Sequence, residues 1–179
     1  MQAALQSGVD VNSRDPDGEM TALMYAVRRS RRRSVVSLLL EQEDIDVNIE
    51  TCRGETALHF AARDDRNSEC LAMLLARPDL TIVNQRDKFG CTPLFVAVSA
   101  RPRIWPKGGR GEGAVRCVQL LLSDERTDPN IKSYEQYTEK DEVCEGDSPL
   151  MYAVKWNYVD CVKLLLADPR VDLSEREER

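Results

Sequence analysis

Histidine is almost absent from this chain, with one residue in 179, and aromatic residues make up only 6% of it. No apolar run approaches the roughly 18 residues that a membrane-spanning helix needs. The N-terminus also has no charged-then-apolar secretory pattern. Because the hydrophobic fraction of 42% is ordinary for a folded soluble protein, we expect a soluble intracellular protein, with the cytoplasm as first expectation and the nucleus as alternative.

Motifs that carry chemistry are equally scarce. The six cysteines include no Cys-x-x-Cys pair, and the single His59 gives a zinc site little support. The glycine-rich segment 108–113 has no Gly-Lys-Ser/Thr ending, so it does not resemble a phosphate-binding loop. No motif supplies a nucleophile and an orienting acid for His59. The sequence therefore predicts no enzyme, no metal site and no cofactor.

A short phrase and the block behind it recur along the chain. Thr-Ala-Leu begins at Thr21 and Thr56, Thr-Pro-Leu at Thr92 and Ser-Pro-Leu at Ser148, each with Ala three residues beyond the Leu. The four starts are 35, 36 and 56 residues apart. Apolar blocks follow the phrases at 35–40, 70–75, 117–122 and 161–166. A unit of thirty-odd residues that recurs in this way is the signature of a stacked repeat array.

With a third landmark, Val47-Asn48 and Val83-Asn84, the pattern resembles the ankyrin repeat family, most closely at 56–62 and 88–94. The resemblance implies an all-α repeat solenoid of helix pairs with projecting β-hairpin loops. We predict one domain over 1–179, with a partial unit at 1–14 and full units at about 15–48, 49–84, 85–130 and 131–174. Because neither end reads as a polar cap, we expect a segment of a longer array.

Two kinds of polar residue receive structural interpretations. Cys70, Cys117 and Cys161 occupy one column of the second helix, where we expect them to be core residues rather than disulfide partners. For His59, in the Thr-x-Leu-His position, the resemblance implies a structural hydrogen-bonding role within the repeat.

The units differ from one another at three places, where charges segregate. The turn of the first unit, Arg28–Arg33, holds five arginines. The third unit has an insertion within 99–116 that includes Arg101, Arg103 and Lys107. The fourth has a lengthened hairpin at 131–147, and segment 123–147 holds nine acidic against three basic residues. This pattern indicates a bipolar surface that orients a charged partner, although solvated faces that aid solubility are an equally good interpretation.

The family resemblance implies binding of other proteins through hairpin tips and the exposed side of the first helix. The predicted partner-binding residues are Arg28, Arg29, Arg31, Arg32, Arg33, Arg53, Arg63, Lys88, Phe89, Trp105, Lys155 and Trp156. Trp156 is the best single candidate, because exposed Trp and Arg dominate interface energies. Its alternative role is packing against Tyr158. Trp105, in the inserted loop, is either an anchor or folds back on the solenoid.

These observations predict a monomeric, non-enzymatic protein–protein interaction module that displays a concave surface within a larger scaffold or regulatory protein. The alternative is a binder of nucleic acid or phosphorylated lipid headgroups through Arg28–Arg33 and Arg101–Lys107. The net charge of −6 and the scarcity of aromatics beside the arginines weigh against it. Separately, the context of Asn48 resembles the hairpin asparagines that an intracellular asparaginyl hydroxylase modifies in this family, which makes Asn48 a predicted hydroxylation site.

Overall fold

The computed structural model describes residues 10–29, 33–63, 65–100, 112–135 and 144–174, and these ranges contain four helix pairs. The helices are α1 Ala22–Arg28, α2 Arg33–Leu40, α3 Ala57–Arg63, α4 Ser68–Leu75, α5 Pro93–Ser99, α6 Glu112–Ser123, α7 Pro149–Lys155 and α8 Val159–Ala167, with a short 3-10 helix at Asp65–Asn67. The odd-numbered helices pack on one another in sequence and the even-numbered helices do the same, which gives two layers. The predicted all-α repeat solenoid is confirmed. Within the described ranges no helix is long and apolar enough to cross a bilayer.

The repeated phrase begins the odd-numbered helices. The hydroxyls of Thr21, Thr92 and Ser148 each accept a hydrogen bond from the backbone N–H three residues later. Pro93 and Pro149 occupy the first helical position, where no N–H is needed. Short helices of seven residues therefore have defined starts in spite of their length.

His59 fastens the second unit to the third. Its Nδ1 accepts the N–H of Thr56 at 3.1 Å, and its Nε2 lies 3.0 Å from the carbonyl oxygen of Cys91. Burial lowers the pKa of His59, so the ring stays neutral. Because Nδ1 accepts, Nε2 carries the proton and donates to Cys91. The predicted structural role of His59 is thereby confirmed, with the addition that it joins two units.

The hairpins stack on one another through the backbone. Lys88 N donates to Arg53 O at 2.9 Å, and Tyr134 N donates to Phe89 O at 2.8 Å. The lengthened hairpin of the fourth unit forms a short antiparallel ladder between β1 Tyr134–Glu135 and β2 Cys144–Glu145. Successive hairpins therefore hold one another in register.

The recurring asparagines bond each unit to the next. Asn48 Nδ2 donates to Asp79 O at 2.8 Å, and Asn48 Oδ1 accepts from Thr81 N at 2.8 Å. The same pair of bonds joins Asn12 to Asp44 and Asp46, Asn84 to Arg126 and Asp128, and Asn130 to Arg170 and Asp172. The Val-Asn landmark therefore recurs because it satisfies backbone groups between units.

Arginine side chains donate hydrogen bonds to carbonyl groups at the C-terminal ends of even-numbered helices. Arg126 Nη2 donates to Leu75 O, the last residue of α4, at 2.8 Å, and Arg170 reaches Leu122 O near the end of α6 in the same way. Asp124 and Asp168 each hold their arginine through both carboxylate oxygens. The carbonyls at a helix C-terminus lack intrahelical donors and carry partial negative charge, so a fixed cation stabilises them.

These ion pairs predict a specific acid sensitivity. Hydrogen bonds from Arg170 lower the pKa of Asp168, which is largely buried, so its stabilising effect exists above the unfolded value of about 3.9 and is lost as pH falls through the folded value. We expect Asp168→Asn to lower the free energy of unfolding by about 1–3 kcal/mol at pH 7. Urea titrations should show this difference closing as pH falls below the unfolded pKa of about 3.9 and through the lower folded pKa.

The control is Asp160→Asn, because the Asp160–Lys163 pair is mostly solvent-exposed. It should change stability by about 0–1 kcal/mol at either pH. A difference between Asp168→Asn and the parent that stays constant down to acid pH would contradict the assignment.

The fourth unit exposes side chains at positions whose equivalents in the earlier units are buried. Val98 is 0% exposed in α5, whereas Val154, at the same position of α7, is 59% exposed. Cys70, Cys117 and Cys161 are buried in their shared column, which confirms their predicted core role.

Candidate functional site

A cleft lies between the third and fourth units, where their hairpins meet α5 and α7. It has a volume of about 360 Å³. Its lining residues are Phe89, Cys91, Phe95, Ser99, Ser133, Tyr134, Gly146, Asp147, Tyr152 and Lys155. We call it the aromatic cleft, because four of its ten lining residues are aromatic.

The rings of α7 and the neighbouring helices form a connected group. The Tyr152 centroid lies 5.1 Å from that of Phe95, 6.1 Å from that of Trp156 and 6.3 Å from that of Tyr158. Tilted pairs at these separations are favourable. Trp156 nonetheless remains 53% exposed. Its ring lies beside that of Tyr152, which also neighbours Tyr158, the residue expected as the alternative partner of Trp156.

One wall of the aromatic cleft is formed by the hairpin residues Phe89 and Tyr134, and neighbouring side chains fix both rings. Arg86 Cζ lies 4.4 Å from the centroid of Tyr134, and Arg86 Nη2 donates to Lys132 O at 2.6 Å. Lys88 Nζ lies 4.5 Å from the centroid of Phe89, which is partly exposed. These cation–π contacts and backbone bonds fix the wall before any partner arrives.

The floor of the aromatic cleft is neutral because the third unit departs from its neighbours. Two equivalent positions are compared in each unit: the residue directly before the N-cap of the odd-numbered helix, and the last residue of that helix. They hold Glu55 and Arg63 in unit two, Cys91 and Ser99 in unit three, and Asp147 and Lys155 in unit four. Ion pairs form in units two and four. Burial raises the pKa of the Cys91 thiol to about 12, so the floor between the two pairs stays uncharged.

In both ion pairs the cation is the more exposed partner. The side chain of Arg63 is 51% exposed against 15% for Glu55, and that of Lys155 is 48% exposed against 22% for Asp147. Arg63 also lies over the Phe60 ring, 5.7 Å from its centroid. An approaching molecule therefore meets positive charge before it meets the carboxylates.

The structure brings together part of the predicted set. Phe89 and Lys155 line the aromatic cleft, Lys88 covers Phe89, and Trp156 adjoins Tyr152. Arg63 lies one unit away, in unit two, at the same position as Lys155.

The other predicted residues that the structure describes do not line the aromatic cleft. Arg28 and Arg29 are exposed at the end of α1, and Arg53 is exposed in the second hairpin. Arg33 begins α2 and pairs with Glu69 at 2.9 Å. Arg31, Arg32, Trp105, Arg101, Arg103 and Lys107 lie outside the described residues. The anionic-ligand alternative, which rests mainly on them, stays a prediction.

Sequence reasoning missed Tyr152, Phe95 and Tyr134 as members of the site. A signal existed for Tyr152: the position four residues after the phrase start carries Tyr25, Phe60 and Tyr152, and Trp156 follows Tyr152 by one helical turn. Nothing local marks Tyr134, whose place depends on the stacking of hairpins.

Asn48 has both amide atoms engaged with the third unit, as described above. Its hydroxylation stays a prediction. A hydroxylase would have to break three hydrogen bonds to withdraw this side chain from the stack.

Stacked helix pairs with hairpins that meet at a preformed cleft define a helical-repeat protein built to display a surface. The chain belongs to the ankyrin repeat family: the family model described as "Ankyrin repeats (3 copies)" matches residues 1–84, 45–133 and 81–176. Ankyrin repeats are generally protein–protein interaction modules and typically carry no catalytic activity.

Several known proteins are similar to this chain. The neurogenic locus notch homolog protein 1 of Mus musculus is 30% identical over 159 residues, which is 82% of this chain and 5% of that protein. Ankyrin repeat protein 14 of Vaccinia virus is 41% identical over 75 residues, 41% of this chain and 30% of that protein. The chain thus spans a small part of these relatives.

Among solved structures, an ankyrin repeat domain from Acinetobacter baumannii AYE superposes with a TM-score of 0.68 at 26% identity, covering 90% of this chain and 70% of that one. The likeness therefore extends over most of the chain.

Proposed function

We propose that this chain is a non-enzymatic protein-recognition module of a larger scaffold or regulatory protein, and that it binds its partner across the concave face formed by hairpins and odd-numbered helices. The observation that carries this proposal is the aromatic cleft. It brings Phe89 and Tyr152 together beside a hairpin wall that hydrogen bonds already hold, and Trp156 adjoins Tyr152. Aromatic anchors in such positions supply most of the binding energy at interfaces, and a rigid wall lowers the entropic cost of binding.

The proposed setting is the interior of the cell, with the chain as a monomer. Cys52, Cys70 and Cys91 are free thiols. Free thiols persist in reducing compartments such as the cytosol. This supports, for the part of the chain that the structure describes, a cytoplasmic or nuclear location.

The test is affinity capture with the whole chain and with Trp156→Ala and Tyr152→Ala variants. Removing an aromatic anchor costs about 2 kcal/mol or more, so we expect retention of the specific partner to fall by about 30-fold. The matched control is Leu166→Ala, which also removes an exposed apolar side chain but lies on α8 in the other layer. Loss of the same partner through Leu166→Ala alone would place the working surface elsewhere. Circular dichroism of each variant checks that the fold is retained.

A further inference from the structure

We infer that the aromatic cleft takes an extended peptide segment with one large apolar side chain followed, at regular spacing, by acidic residues. The inference rests on the proposed function and adds the chemistry of the partner. It combines three observations: the uncharged side chains of Cys91 and Ser99 in the cleft, the greater exposure of the cations than of their carboxylates, and the constant spacing of the repeats.

The apolar side chain of the proposed segment is inferred from the residues that line the cleft. Phe89, Phe95 and Tyr152 supply ring surface, while Cys91 remains a neutral thiol and Ser99 is small. The carboxylate among the lining residues, Asp147, is already paired with Lys155. An aromatic or leucine side chain can therefore enter without leaving a charge unpaired, which is the main penalty of burial at an interface.

The acidic residues of the proposed segment are inferred from the two ion pairs, in which the cation is more exposed than the carboxylate. The side chains of Lys155 and Lys88 at the aromatic cleft, and of Arg63 two units along from Lys155, are exposed. The neighbouring carboxylates lie deeper: Glu55 is beneath Arg63, and Asp87 is buried and accepts the N–H groups of Phe89 and Cys91. Among the described side chains here, a partner meets cations first, so acidic groups complement this surface.

The repeat sets the spacing of those acids. Lys155, Arg63 and Arg28 occupy the same position in units four, two and one, so their row runs away from the aromatic cleft along the array. Packed helices are about 8–10 Å apart, and an extended chain advances about 3.3 Å per residue. A segment anchored in the cleft therefore reaches Arg63 after about three to five residues and the Arg28–Arg29 end after about six to eight.

Selection from a phage-displayed library of random 12-residue peptides on the whole chain tests the inference. We expect the enriched peptides to share Phe, Trp or Leu with Asp or Glu about four and seven positions away. A fluorescein-labelled consensus peptide, measured by anisotropy, should bind Tyr152→Ala and Arg63→Glu at least about tenfold more weakly. Added salt should weaken binding to the parent but change binding to Arg63→Glu less. Leu166→Ala, the control, should bind as the parent does.

Other outcomes separate the two proposals. Enriched peptides that are basic, or that lack an apolar anchor, would overturn the inference about partner chemistry. A complete failure to enrich peptides would also overturn it, because the cleft would then not take a linear segment. In either case the proposed function survives if Trp156→Ala still loses its captured partner, and it fails if that variant captures the partner as the parent does.

Discussion

Replacing Gly90 with alanine is expected to destabilise the chain by about 2–5 kcal/mol, because two penalties combine at this position. Gly90 has φ of 72°, in the left-handed region that costs other residues about 1–2 kcal/mol. An added Cβ would lie 2.6 Å from Tyr134 N and 2.7 Å from Tyr134 Cγ, so either the backbone of the next hairpin or a ring fixed under Arg86 must move. Overpacking of this kind costs about a further 1–3 kcal/mol.

The same change should weaken partner binding, since Tyr134 forms part of the cleft wall. Urea unfolding of Gly90→Ala measures the first effect, and affinity capture measures the second. Gly18→Ala is the matched control: it lies in the first hairpin, and the nearest heavy atom to its added Cβ is 3.7 Å away. Equal losses of stability in the two variants would contradict the account of Gly90.

Leu121→Ala is expected to cost about 2–5 kcal/mol, the range observed for leucines removed from packed cores. Leu121 is 0% exposed in α6, and α6 packs on α4, α5 and α8. Because each repeat is stabilised by its neighbours, a cavity here should loosen the interface between units three and four and could separate the unfolding of unit four from the rest. Denaturant titrations followed by circular dichroism measure the loss.

The control for Leu121 is Leu166→Ala, because Leu166 is 54% exposed in α8. Surface substitutions of this kind change stability by about 0.5 kcal/mol or less. A loss for Leu166→Ala as large as that for Leu121→Ala would show that burial does not determine the stability of this array.

The repeated residues made the architecture predictable, because each one satisfies a need that every unit has. Thr92 and Ser148 cap helices, Asn48 and Asn84 bond one unit to the next, and Cys117 fills a buried column. These needs are local or recur at a constant spacing, so they appear in the sequence as a period. The stacked repeat follows from that period, and the family follows from the resemblance of the repeated residues to its motif.

The aromatic cleft was only partly predictable, because its members meet through stacking rather than through sequence proximity. Phe89 and Trp156 were recognised by their exposure on elements that face a partner, whereas Tyr134 depends on the register of the fourth hairpin against Gly90. The outward position of Arg63 relative to Glu55 depends on side-chain conformation and is not encoded in their spacing. The repeat pattern also gives no sign that unit three lacks the ion pair of units two and four. That difference appears only when equivalent positions of the units are aligned.

Photo-crosslinking tests the central claim most directly, since the claim concerns which surface the partner touches. Benzoyl-phenylalanine is introduced in place of Phe89 or, separately, in place of Leu166, and the chain is irradiated in the cells that express it. The account predicts a covalent adduct with a specific protein from position 89 and none from position 166. An adduct that forms from position 166 but not from position 89 would contradict it.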